Sequence, residues 1–112
     1  MKHFDKQQIL RAKRQKERFT MSDLLGAWEL AEMKAAPLPE KAATAFSGAT
    51  SSMVGAKYVP VLYCGEQLVH GVNYMFICEQ TLSAQGAPRH LVKMVVNSSE
   101  QGSSIVNIER IV

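Results

Sequence analysis

Two cysteines, Cys64 and Cys78, and three histidines, His3, His70 and His90, are the side chains of this 112-residue chain best suited to attack a carbonyl or hold a metal. A thiol beside an imidazole would make an activated nucleophile. However, each cysteine sits inside a strand-like stretch, and neither His70 nor His90 is tied to one by spacing. Both cysteines are therefore read as small buried hydrophobes. No Cys-x-x-Cys occurs, and no two histidines stand at a helical ligand spacing, so no metal site is expected. The acidic residues are dispersed, which leaves no paired-carboxylate centre. Neither a phosphate-cradling glycine loop nor a Gly-x-Ser-x-Gly elbow is present. The expectation is a protein without catalytic residues, metal or cofactor.

The elements that would position any other function follow from composition and periodicity. With 46% hydrophobic and 21% charged residues, the chain has the makings of a packed domain. Aromatics are 7%, so aliphatics and six methionines must build most of the core. Residues 1–20 hold seven basic and two acidic side chains, a net +5, while residues 21–112 carry six basic and eight acidic, a net −2. The basic character thus belongs to an N-terminal extension, residues 1–20, read either as a solvated arm or as a weakly amphipathic helix. Such an arm implies at most weak, salt-sensitive contact with nucleic acid or an anionic surface. Met21 opens the compact unit, residues 21–112, and Met21, Leu24, Leu25 and Trp28 fit a helix or an extended strand equally. No apolar run reaches the roughly 20 residues of a membrane span. Nor does the N-terminus have the form of a secretory signal, so a cytoplasmic protein with reduced thiols is expected.

Ala35-Ala36-Pro37-Leu38-Pro39 breaks the chain before its best helix, expected over residues 39–54 with Ala42, Ala45, Phe46, Ala49 and Met53 on one face. Gly55 is expected to end it. Strands follow at Tyr58–Cys64, Val72–Leu82, His90–Val96 and Ile105–Val112, with connections at Gly65–Gly71, Ala84–Pro88 and Asn97–Ser104. Pro60 assigns the first strand to an edge or a bulge. Along Val72–Leu82, Tyr74, Phe76 and Cys78 share one face, Met75 and Ile77 the other. This is an α+β pattern: one helix packed across a four-stranded antiparallel sheet in meander order.

The first connection reads Gln67-Leu68-Val69-His70-Gly71 and continues Val72-Asn73-Tyr74. It resembles the Gln-x-Val-x-Gly motif of the cystatins, and the continuation is similar to the Gly-x-Asn-Tyr of stefin-like, intracellular members. The resemblance covers roughly residues 24–112 and extends to the helix placement and strand count. It implies a cystatin-like fold and reversible inhibition of papain-like cysteine proteases. It also implies a wedge made of Gln67, Leu68, Val69, His70 and Gly71 with an N-terminal segment around Gly26. The physical logic is that a turn held at both ends by a sheet loses little entropy on entering a cleft. His70 at the tip would make docking pH-dependent, with a sign set by the partner's surface.

Two departures from the family pattern stand out. Gly26-Ala27-Trp28 replaces a Gly-Gly pair, and the second hairpin, Asn97–Ser104, is wholly polar where many members carry an apolar tip. The alternative expectation is a non-inhibitory binding or oligomerisation module on the same scaffold. Met75 and Ile77 on the outer face point to a homodimer, to cover by the extension, or to exchange of the helix and first strand through the opened hairpin.

Overall fold

The computed structural model describes residues 26–112. The expectations for residues 1–20, for the boundary at Met21 and for Leu24 and Leu25 lie outside the described residues. Trp28 is in irregular chain and largely exposed, so it is not part of a helical stripe.

From residue 27 to Pro39 the chain is without regular structure, and Pro37 and Pro39 keep Ala36 and Leu38 out of helical conformation. It is tied down where the Ala36 N–H donates to the Pro60 carbonyl at 2.9 Å. Helix α1 spans Glu40–Thr50, and Pro39 takes the N-cap position rather than the first helical turn. The helix stops one turn short of the expected end. Thr50 and Ser51 turn their hydroxyls back onto the carbonyls of Phe46 and Gly48, at 2.8 and 3.3 Å. Hydroxyls that bond to nearby backbone weaken helix propagation. Met53 consequently lies beyond α1.

Four strands follow, β1 (Ala56–Val69), β2 (Gly71–Leu82), β3 (Arg89–Ser99) and β4 (Gly102–Arg110), in spatial order β1-β2-β3-β4. All three pairings are antiparallel. The meander is the one expected, but its hairpins are tighter. The connection expected over Gly65–Gly71 shrinks to His70, and the one over Asn97–Ser104 shrinks to Glu100 and Gln101. Polar residues there are strand residues at an end of the sheet.

Alternation supplies the core. Tyr74, Phe76 and Cys78 of β2 and Val92, Met94 and Val96 of β3 are buried together with Ala42, Ala45 and Phe46 of α1. The Phe46 ring meets Phe76 edge-on, with centroids 5.2 Å apart at 68°, and Tyr63 flanks Phe76 at 5.8 Å. Such aromatic pairs add to the stabilisation from buried area. Small residues on α1 permit close approach: a Cβ at Gly48 would lie 3.3 Å from that of Ser103 on β4.

Both edge strands break register. In β1 the pairing with β2 skips between Pro60 and Leu62 and again between Tyr63 and Gly65, and in β4 it skips between Ile105 and Asn107. The extra residues are Val61, Cys64 and Val106. Each bulge shifts the inside–outside phase, which lets Ile105 and Ile108, three apart, both pack on the core. The same device corrects the cysteine assignment. Cys78 is buried, but Cys64 is a bulge residue and is exposed. No helix among the described residues is long and apolar enough to cross a membrane.

Phe46→Ala removes the ring that seats α1 on Phe76 and is expected to cost about 3–5 kcal/mol. Chemical denaturation measures it, and a loss below about 1 kcal/mol would place Phe46 outside the core.

Candidate functional site

The hairpin joining β1 to β2 carries two exposed apolar residues, Leu68 and Val69, at one end of the sheet. Leu68 pairs with Val72 and Val69 with Gly71, leaving His70 alone at the turn. Successive residues of a strand face opposite sides. Leu68, 86% exposed, therefore stands on one side of the ribbon and Val69, 43% exposed, on the other. The result is a thin blade with an apolar residue on each flank. Gln67, Leu68, Val69 and His70 are all exposed.

Gly71 is held in a conformation and a space that suit glycine alone. Its φ is +85°, and a Cβ there would lie 2.4 Å from the Ser98 carbonyl oxygen and 3.1 Å from the Ser99 Cβ. The blade is thereby pressed onto the end of β3. Polar contacts extend this grip: Asn73 Nδ2 donates to Gln67 Oε1 at 3.1 Å, and Asn97 Nδ2 donates to the His70 carbonyl at 3.3 Å. Sequence reading missed Asn97, and only the strand register reveals it.

Gly26 lies in irregular chain upstream of the helix and is exposed. Five residues after it, the Ala31 carbonyl accepts a hydrogen bond from Arg89 Nη2 at 3.1 Å, and Arg89 also forms an ion pair with Glu79. Arg89 is opposite Thr81, ten residues along β2 from Gly71. That is roughly 33 Å of strand at ~3.3 Å per residue. Gln67 to Gly71 come together in one hairpin, whereas the chain five residues after Gly26 is tied at Ala31 to a residue near the opposite end of β2.

The second hairpin lies beside the first, since Ser98 is opposite Val72. Its tip, Glu100 and Gln101 between Ser99 and Gly102, is polar as expected. A shallow notch of about 350 Å³ opens next to the blade, lined in part by Cys64, Gln67, Asn73, Met75 and Val95.

The geometry also bears on cysteine chemistry. Cys64 and His70 lie six residues apart on one extended strand, roughly 20 Å, so they do not form a nucleophile–base pair. Burial, and secondarily the neighbouring Cys64, pushes the Cys78 thiol up to about 12. Among the described residues, no group of three or more His, Cys, Asp or Glu side chains converges as a metal site would.

Two outcomes follow. Gly71→Ala is expected to destabilise the fold by about 2 kcal/mol or more through strain and contact with Ser98. Gly26→Ala, with no atom of the described residues within 4 Å of the new Cβ, carries the backbone strain of its positive φ. Thermal unfolding of the two variants compares them, and equal losses would remove the special role of Gly71. The second outcome concerns pH. Unfolded Cys78 ionises near its ordinary 9.0, while the folded thiol keeps its proton to about 12. The unfolded state binds fewer protons between those values, so stability falls as pH rises through that window. The Cys78→Ala variant should show a shallower decline in denaturation midpoints above pH 9.

Compared by sequence and by fold, the chain matches no family model, no curated protein and no solved structure.

Proposed function

We propose that this protein is a reversible inhibitor of papain-like cysteine proteases, built on a cystatin-like fold, that inserts the Gln67–Gly71 blade into the protease cleft. The observation that carries the reading is an exposed, two-sided apolar ribbon whose base is locked to the sheet at Gly71. A cleft that binds extended peptide accepts such a ribbon edge-on. Because the ribbon is already ordered, docking loses little conformational entropy. The Gln-x-Val-x-Gly resemblance supplies the protease class. One helix on a four-stranded antiparallel meander is compatible with the same family. The resemblance adds a second element to the wedge, the segment around Gly26. Two unpaired thiols, Cys64 exposed and Cys78 buried, suit a cytoplasmic setting.

The polar tip of the second hairpin favours a second reading. With Glu100 and Gln101 in place of an apolar tip, part of the contact area of a wedge is missing. Losing one apolar contact lowers affinity by on the order of 1–3 kcal/mol. On this reading the blade docks to a partner without blocking a protease.

Titration against papain separates the two. Nanomolar inhibition supports the inhibitor, and its absence at micromolar concentration supports the binding module. Leu68→Asp and Val69→Asp each place a charge that a cleft would have to desolvate, at a cost of several kcal/mol. Inhibition should weaken by two orders of magnitude or more, with thermal stability nearly unchanged. Equal inhibition by wild type and both variants would exclude the blade as the wedge.

A further inference from the structure

Gln67, Asn73 and Asn97 form one cross-strand row, with Gln67 opposite Asn73 and Asn73 opposite Asn97. Their amides bond head to tail. Asn97 Nδ2 donates to Asn73 Oδ1 at 3.0 Å, and Asn73 Nδ2 donates to Gln67 Oε1 at 3.1 Å. Asn97 Nδ2 also donates to the carbonyl of His70 at 3.3 Å. A side chain on β3 thus reaches across β2 to the backbone of the turn residue that no strand pairing holds.

We propose that Asn97 is the positioning residue of the docking blade, fixing the His70 carbonyl directly and the Gln67 side chain through Asn73. The proposal rests on the reading of the blade as the docking element, and it adds what sets the blade's direction. The chemistry is specific to a primary amide. Asn97 presents its NH₂ group to two acceptor oxygens, and the relay from Asn97 through Asn73 to Gln67 needs a donor at its origin. Aspartate has the same shape but would turn a third acceptor toward the His70 and Asn73 oxygens. The relay stiffens a ribbon that Gly71 anchors from below. An ordered ribbon binds more tightly than one that must be ordered on docking.

The test uses the full chain with Asn97→Asp, and with Asn107→Asp as control for a charge gained at an exposed β4 position opposite Val95. Three quantities are read: amide hydrogen exchange, the side-chain amide resonances of Asn73 and Gln67, and papain affinity. In Asn97→Asp, exchange at His70 and Gly71 should accelerate about tenfold. Both amide resonances should shift while exchange at Phe76 in the core is unchanged. Papain Kd should rise about tenfold. Asn107→Asp should alter none of these. Unchanged exchange and resonances at the blade would overturn the positioning role. Altered exchange with an unaltered papain Kd would overturn its part in docking. Wild-type protein that fails to bind papain, with blade exchange still responding to Asn97→Asp, would sink the protease reading and leave Asn97 as the residue that sets the blade.

Discussion

The backbone of Gly71 passes so close to the Ser98 carbonyl that no side chain fits between them. That approach fixes where the first hairpin leaves the sheet. It lets β2 begin directly after a single turn residue, so β1 and β2 stay paired to their tips and the blade has no loose loop. It also brings β3 near enough for Asn97 to reach the His70 backbone. The exposed apolar residues at the tip depend on this one contact for their direction, although neither takes part in it.

The core answers a different requirement. A helix of eleven residues is too short to be stable alone. It persists because Ala42, Ala45 and Phe46 are buried in one cluster with the inward residues of β2 and β3, and Ile105 and Ile108 of β4 pack against that cluster. With few aromatics available, Phe46, Tyr63 and Phe76 are gathered at one point instead of being spread along the sheet. The β1–β2 and β3–β4 tips lie at one end of the sheet, where Leu68 and Gln67 stay in solvent. Stability and docking are thereby assigned to different stretches of the same strands.

Much of the fold was legible in the sequence. The prolines before α1, the stripe at Ala42, Ala45 and Phe46, and the alternation at Tyr74, Phe76 and Cys78 carry direct physical signals, and Pro60 marked an irregular edge strand. The extent of the hairpins was not legible. Gln67, Asn97 and Ser98 are polar because that end of the sheet meets water, and polarity alone does not separate an exposed strand from a turn. Bulges at Val61, Cys64 and Val106 left no mark in composition, so Cys64 was read as buried. The residues at the blade were found through a motif, whereas Asn97 emerges only from the pairing of β2 with β3.

The irregularities of β1 and β4 have a consequence for the behaviour of the protein at high concentration. A flat outer strand offers a row of free N–H and C=O groups on which another chain can add itself, the first step toward fibres. Here the inner pair, β2 with β3, keeps an unbroken register, and every interruption falls on an outer strand. Pro60 removes one donor from β1, and the Ala36 N–H occupies the carbonyl beside it. An incoming strand would meet a kinked, partly occupied border on one side and a bulged one on the other. The sheet is finite by construction: the features that spoil its regularity also stop it from growing.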